Sequence, residues 1–380
     1  KFILMKKKIA IIGAGIAGLT LANLLKVNSN FEFVVYEKGE VFNFDEGFGV
    51  QLSVNGIQIL NKIGFNQQSI GERFYPSQLD FYSMNCNKIC DLDLTKFNSE
   101  NEKYTTLKRS VLMKFLKDKL LSNSILFSKK INEVEKINNK INIYFSDGSN
   151  DIVDYLVVSD GVFSSSKTVI ERKKIEPIYS GAIAFRTQIK NQDILNFNNK
   201  NISLIMGSNA HIVLYPINQR RDINLICIIR KKLEEKNVTK ELLENLILKE
   251  NKNLTNLFKG DIKSWRIYRS NKPIKSIYQN VFYAGDAFYT FPPTMAQGAS
   301  QAIESAREIF ELINENHKDI QNKYFQNRMY RTNLINKRSK INYFGFHITN
   351  PLLKIFRNFF LKRLVKNKKF IQSYLGKIYK

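Results

Sequence analysis

Gly13-Ala14-Gly15-Ile16-Ala17-Gly18 is a G-x-G-x-x-G run, and the chemistry of such a run is the cradling of a phosphate. The first glycine permits a tight turn, the second lets backbone approach a pyrophosphate, and the third lets helix and strand pack closely. Glu37 lies nineteen residues beyond Gly18, with Lys38 beside it; a carboxylate there takes both hydroxyls of an unphosphorylated ribose. Two further acids, Asp160 in Ser159-Asp160-Gly161 and Asp286 in Gly285-Asp286-Ala287, stand beside a glycine where an apolar run ends. These are the residue types of a dinucleotide site, and the glycine run alone does not separate FAD from NAD.

Periodicity indicates the elements that hold them. Ile9 to Ile12 reads as a buried strand, Ile16 to Val27 as a helix and Phe31 to Tyr36 as a second strand ending on Glu37, a βαβ start that implies a parallel sheet. Helices are predicted over Val54–Ile63 and Ser110–Leu121, and strands near Leu79–Tyr82 and over Asp151–Ser159. The signal then changes to period-2 segments, Gly181–Ile189, Ile202–Met206, His211–Tyr215 and Ile223–Arg230, which predict a separate, mostly antiparallel sheet. Glu241–Lys249 reads as a helix and Ser264–Tyr268 as a strand. Val281–Ala284 returns to the parallel type and feeds a helix from about Met295 to Ile313. The expectation is an α/β protein. A discontinuous Rossmann-type domain (5–74, 101–177 and 276–330) receives an inserted substrate domain (75–100 and 178–275), and a basic C-terminal helical segment follows (331–380).

In this order and at these separations, the glycine fingerprint, the Asp-Gly pair at Asp160 and the Gly-Asp pair at Asp286 resemble the group A flavoprotein aromatic hydroxylases, which include salicylate and 3-hydroxybenzoate hydroxylases. Gly47-Phe48-Gly49-Val50-Gln51-Leu52 with Asn55-Gly56 is similar to the family's loop and helix after the ribose acid. Lys108-Arg109-Ser110-Val111-Leu112 resembles its Arg-x-x-Leu helix start, and Pro292 to Ala299 its flavin-cradling loop. The resemblance covers nearly the whole chain and implies a para-hydroxybenzoate hydroxylase-like fold with FAD as cofactor and NADH or NADPH as co-substrate. It also implies hydroxylation of a phenolic ring by oxygen that has added at flavin C4a. Gly13, Gly15, Ala17, Gly18, Glu37, Lys38, Gly49, Arg109, Asp160, Asp286, Gly298 and Ala299 are then the FAD contacts. A helix opening after Met295 points its positive end at the flavin edge where charge builds on reduction. The chain departs from the pattern in two places: Phe288 and Tyr289 follow Ala287 where relatives often carry a His, and Asn43-Phe44-Asp45 stand where an Arg commonly precedes the glycine loop.

A base near the ring helps by drawing the phenol toward phenolate. His211 is the first candidate because imidazole titrates near neutrality; a histidine satisfied at a sheet edge accounts for it equally well. Gln297 is the second, against a role bracing its loop. Arg186 is a candidate for a substrate carboxylate, against an ordinary salt bridge, and Tyr215 and Pro293 are candidates for the pocket wall. Three other readings remain: hydroxylation of a lipid-tailed quinone precursor, flavin-dependent prenyl reduction, and a non-catalytic flavin-binding partner protein.

Composition closes off other classes. The chain has 380 residues, 43% of them hydrophobic, enough to fold around its own cores. Cys86, Cys90 and Cys227 form no C-x-x-C pair, and His211, His317 and His347 have no ligand spacing, so no metal centre is expected. No run reaches the roughly 18 apolar residues of a spanning helix. Lys1 to Lys8 contains Met5 and runs into a strand, unlike a cleavable signal peptide; the expected place is the cytoplasm. The formal charge of +25 has an address: no acid follows Asp319, while fifteen Lys and Arg fall between Lys323 and Lys380. Leu352, Leu353, Phe356, Phe359, Phe360 and Leu364 interleave with them, so this segment either packs on the FAD domain or touches an anionic membrane face peripherally. No nucleic-acid motif accompanies the charge, and a monomer or homodimer is expected.

Overall fold

A computed structural model describes residues 6–28, 30–42, 44, 48–190, 197–231 and 239–379. Strand Lys7–Ile12 is central in a five-stranded parallel sheet, between Phe31–Tyr36 on one side and Tyr155–Val158 on the other, with Val281–Tyr283 and Ile125–Leu126 outermost. Ile9, Ala10 and Ile11 are wholly buried, as strands covered by helices on both faces require. Helix Ile16–Lys26 packs against helix Gly298–Asn314.

The apolar run over Asp151–Ser159 is two strands, not one. Asn150–Val153 pairs antiparallel with Lys140–Phe145 in a small outer sheet, and only Tyr155–Val158 joins the central one. Asp154 makes the joint: its N–H donates to the Lys8 carbonyl at 2.9 Å and its carboxylate accepts the Lys8 N–H at 2.8 Å. The predicted helix start at Met295 also moves. Ala296 holds a left-handed φ of 51°, strained for a residue with a Cβ, so 295–297 remain a loop and the helix begins at Gly298.

The second sheet has seven strands in the order Lys263–Arg269, Ile178–Ile189, Ile223–Arg230, Ala210–Pro216, Ile202–Met206, Gln78–Ser83, Lys88–Asp93. All pair antiparallel except Ile202–Met206 with Gln78–Ser83. Strand alternation sorts its faces. Ile183, Phe185, Ile212 and Leu214 pack with Leu243, Leu254 and Phe258 on one side, which leaves Arg186, His211, Val213 and Tyr215 on the other.

After the parallel sheet the chain forms helix Ile320–Phe346 and helix Pro351–Leu364. The first is pinned by a buried ion cluster: Glu304 accepts from Arg328 at 3.3 Å and from Arg331 Nη2 at 2.6 Å, and also from Asn55. Among the described residues no helix is long and apolar enough to cross a membrane.

Candidate active site

The first half of the site is assembled from the carboxyl ends of four parallel strands, where α/β sheets bind ligands. Gly13 follows Ile12 at φ 97°, and its N–H donates to the Tyr36 carbonyl at 2.8 Å. A Cβ on Gly13 would sit 2.8 Å from the Ser159 carbonyl, and one on Gly18 2.1 Å from the Gly13 carbonyl. Glu37 ties the turn down, accepting the Ala14 N–H at 2.8 Å and the Gly39 N–H at 2.9 Å; Lys38 lies exposed beside it. Ala17 touches the other end of the sheet, lying 3.2 Å from where Gly285 would carry a Cβ.

Asp160 accepts the Ser166 N–H through Oδ2 at 3.3 Å, while its Oδ1 is buried with no hydrogen-bond partner. Asp286 is reachable from outside, yet the protein packed around it strips its hydration and pushes its carboxyl up to about 6, with Lys167 opposing. Lys167 is itself buried among Asp160, Asp286 and Glu171, and its own burial lowers its ammonium. Nothing in the local sequence around Lys167 marks it as part of this cluster.

The second half is a cavity of about 540 Å³ between the seven-stranded sheet, the cradle loop and the C-terminal helices. Pro293, Ala296, Gly298 and Ala299 bound one end, with Gly49, Gln51 and Arg109 beside them. The N-terminus of helix Gly298–Asn314 is open there, with no atom within 4 Å of a Cβ built on Gly298. Gly49 presses against the sheet: its N–H donates to Asn224 Oδ1 at 2.6 Å, and a Cβ would meet Tyr215 at 2.7 Å. Arg109 opens helix Arg109–Asp118, its N–H on the Phe48 carbonyl at 2.9 Å.

Register brings three candidates onto one wall. Arg186 lies opposite Ile226, and Ile226 opposite Val213, between His211 and Tyr215. The guanidinium stacks on Trp265 at 5.0 Å, and its Nε is buried without a hydrogen-bond partner. Burial lowers it from its ordinary value, and Arg109 adds to the effect while Tyr215 opposes it. Burial pushes the Tyr215 phenol up to about 12, against the pull of Arg186.

His211 Nδ1 stands 2.9 Å from His347 Nε2, and His347 Nδ1 stands 2.8 Å from the Tyr343 carbonyl. A carbonyl only accepts, so His347 carries its proton on Nδ1 and accepts on Nε2. His211 therefore donates through Nδ1 and keeps a lone pair on Nε2. Burial holds His211 well below its ordinary value, with His347 adding to the effect, and burial likewise lowers His347 to about 4. Both rings are neutral at pH 7. His347 lies 136 residues from its partner, and no local pattern marks it.

Gln297 is turned away from the cavity. Its Nε2 donates to Ser53 Oγ at 2.8 Å, and its Oε1 accepts from Gln301 at 3.3 Å, a geometry that braces the loop. Phe288 and Tyr289, which follow Ala287, anchor helix Ile320–Phe346. Phe288 packs edge-on to Tyr324 and Phe325, and the Tyr289 hydroxyl accepts from Asn336 at 3.0 Å. Asn43, Asp45, Glu46 and Gly47 lie outside the described residues.

A family model described as FAD binding domain matches residues 6–322. The chain belongs to that family. Among curated proteins it is 24% identical over 374 residues to a 3-amino-4-hydroxybenzoate 2-monooxygenase of Streptomyces platensis, covering 90% of this chain and 89% of that one. It is 20% identical over 342 residues to salicylate hydroxylase of Pseudomonas putida, covering 83% and 78%. Of solved structures, Klebsiella pneumoniae HpxO complexed with FAD and uric acid superposes with a TM-score of 0.84 at 17% identity, over 98% of this chain and 96% of that one. A salicylate hydroxylase substrate complex superposes at 0.78 and 16%, over 99% and 97%. The fold is para-hydroxybenzoate hydroxylase-like, and the chain is a group A FAD-dependent aromatic monooxygenase, an oxidoreductase.

The residues of this monooxygenase fit its cofactor. The glycine turn leaves backbone bare toward the strand ends, Glu37 closes the second strand beside it, and the orphaned Asp160 Oδ1 and the accessible Asp286 can accept from hydroxyl or water donors. NADH or NADPH is the co-substrate typical of the family. Among the described residues no cluster of ligands able to hold a metal occurs.

Proposed function

We propose that this flavoenzyme hydroxylates a phenolic ring bearing an anionic substituent, held by Arg186 and Tyr215 and deprotonated toward phenolate by His211. The observation that carries this reading is one wall of one cavity. A desolvated guanidinium with an unused Nε and an imidazole whose tautomer keeps a lone pair on Nε2 share the wall that meets the FAD loop. The names of its relatives, acting on aminohydroxybenzoate and salicylate, lend the ring acid further support.

FAD, when bound, supplies the two-electron reduction of O2. The balance is a ring C–H converted to C–OH by one oxygen atom, the other leaving as water, with a hydride from NADH or NADPH and one proton consumed. The chain's own part is to seat the ring and move a proton. Arg109, Gly298 and Ala299 would border the flavin, Glu37, Asp160 and Asp286 its nucleotide and ribityl hydroxyls, and Gln297 and Pro293 shape the loop between cofactor and substrate. A small aromatic and O2 are the partners. The chain acts as a monomer or homodimer in the cytoplasm, and the basic C-terminal segment is available for peripheral contact with a membrane face.

The test is NADH and NADPH oxidation by the yellow holoenzyme with a panel of hydroxybenzoates, their decarboxylated phenols and quinone precursors, in ¹⁸O2. Expected are stimulation by ring acids and one labelled oxygen in the product. Arg186→Gln should raise KM for the acids about 10- to 100-fold, the worth of a hydrogen bond to a charged group, and leave the phenols nearly untouched. Label-free product or prenyl reduction would overturn the hydroxylase reading.

His347 acts through His211 as a positioning residue. His347→Phe removes the acceptor that fixes the His211 tautomer, so kcat should fall about tenfold to a hundredfold with KM unchanged. The apparent pKa of the remaining activity should shift, and His347→Gln, which still accepts, should recover part of the rate. An unaltered pH profile in His347→Phe would show the pair to be structural.

A further inference from the structure

Helix Pro351–Leu364 is well formed. Asn350 caps it, accepting the Leu353 N–H at 3.1 Å, with Pro351 at its first position. Yet none of its fourteen residues is buried. At 100° per residue its apolar sector is wider than the protein covers. Arg357, Phe360, Leu361 and Leu364 form one stripe, which lines the cavity. Leu352, Ile355, Phe356 and Phe359 form the neighbouring stripe, which faces outward; Leu352 is 66% and Ile355 65% exposed. Ile341 and Phe344 on the preceding helix are exposed as well.

The same cavity that begins at Arg186 and the FAD loop ends against this helix. At this helix the lining is Leu92, Leu94, Phe360, Leu361, Leu364 and Phe370, an apolar arm with Arg357 of the same helix beside it. A volume of about 540 Å³ is that of a site for a drug-sized ligand, and the cavity runs on past the ring-binding wall to this helix.

Resting on the hydroxylase reading above, we propose that the substrate is a phenolic ring acid carrying a long alkyl or isoprenoid tail, drawn from an anionic bilayer on which helix Pro351–Leu364 docks. The ring end meets Arg186 and His211, the tail fills the apolar arm, and the outer stripe of the helix enters the interface. Charge complementarity decides the occupant of that stripe. Lys362, Arg363, Lys366, Lys368 and Lys369 gather at the end of the helix, and no acid follows Asp319. A second copy would bring an equally basic face against this one, whereas anionic headgroups neutralise it. An apolar stripe rimmed by Lys and Arg is the make-up of an interfacial helix.

Two measurements on the holoenzyme test this. In flotation with phosphatidylcholine vesicles, with and without one third phosphatidylglycerol, binding should be at least tenfold stronger to the anionic set and lost at high salt. The exposed double variant Leu352→Ser/Phe356→Ser, which touches neither cavity nor core, should lose about tenfold in vesicle binding while oxidising NAD(P)H normally with short-chain ring acids. Flavin-fluorescence titration with methyl-, butyl- and octyl-substituted hydroxybenzoates should give a Kd at least tenfold lower for octyl than for methyl. Leu364→Trp, which fills the arm, should remove that gain alone. Equal affinity along the series, or binding indifferent to phosphatidylglycerol, overturns the proposal. So does a dimer in light scattering that the double variant dissociates. Failure of every ring acid to stimulate oxidation, short or long, instead strikes the hydroxylase reading, and robust turnover of short acids with no vesicle binding leaves that reading standing and removes only this one.

Discussion

Gly18→Ala is expected to give an unstable protein that does not hold FAD, whereas Gly15→Ala is expected to fold normally and fail only in binding. A methyl on Gly18 would lie 2.1 Å from the Gly13 carbonyl, 2.7 Å from Ser159 Oγ and 3.1 Å from Ile11 Cγ2. Two of the three neighbours are fixed by the central sheet: the Ser159 hydroxyl already bonds the Ile12 and Gly13 carbonyls at 2.9 and 3.0 Å. Relief requires moving helix Ile16–Lys26 off the strand, an overpacking cost of about 1–3 kcal/mol that displaces the turn proposed to hold the pyrophosphate. At Gly15 the nearest atom to the added methyl is the Ser159 carbonyl at 3.9 Å, and φ is −83°, so alanine fits the protein. Any loss there reports the approach of the ligand to backbone. Thermal melting of the apoproteins and flavin absorbance per chain separate the two. A Gly15→Ala apoprotein that melts early, or a Gly18→Ala protein that is yellow and stable, would contradict the assignment of their roles.

The contrast also explains which parts of the site were legible in the sequence. Gly13 to Gly18 and Glu37 lie within one βαβ unit, so their spacing along the chain is their spacing in space, and the pattern could be read directly. Asp160 and Asp286 were legible for a related reason: each leaves a buried parallel strand, and parallel strands deliver their ends to one side of the sheet. Arg186, His211 and Tyr215 could be named from their strands, but not their shared wall. That depends on the register of Ile178–Ile189 with Ile223–Arg230, which no single strand reveals.

Other features were set by partners distant in the chain. Asp151 to Ser159 reads as one apolar run, and only the bonds of Asp154 to Lys8 divide it between two sheets. Gln297 has the right chemistry for a ligand and is claimed by Ser53, 244 residues away. His347 carries no signal of its own, since a lone histidine after a basic helix is unremarkable until that helix folds back on the sheet. Phe288 and Tyr289 likewise take their roles from partners on that helix, Tyr324, Phe325 and Asn336.

Glu304→Ala should be the most destabilising single change outside the apolar core. Glu304 is buried and joins three helices. It accepts from Asn55 on Val54–Lys62, sits itself on Gly298–Asn314, and pairs with Arg328 and Arg331 on Ile320–Phe346. Arg331 reaches on to the Lys377 carbonyl at 2.5 Å and to that of Ile378, so the cluster also clasps the end of the chain. Removing the carboxylate leaves Arg328, itself buried, without its nearer counter-charge, a loss of about 3–5 kcal/mol. Glu304→Gln, which keeps the shape and one acceptor, should cost less.

The pH dependence has a definite sign. Burial alone works against the charged carboxylate, but Arg331 and Arg328 outweigh it and hold Glu304 below its ordinary value. A depressed folded pKa stabilises above the unfolded value of about 4.3. That contribution is complete at neutral pH and disappears as pH falls through the folded value. Wild type should therefore lose stability on acidification below about pH 4.3 more steeply than Glu304→Ala, and the two melting curves should converge. Limited proteolysis at pH 7 should cut the variant first within 320–379, because that segment loses its tie before the parallel sheet does. The loosened helix is capped at its end by His347, so kcat should drop in the variant ahead of flavin loss; activity that outlasts the proteolytic release of the segment would detach His347 from the chemistry.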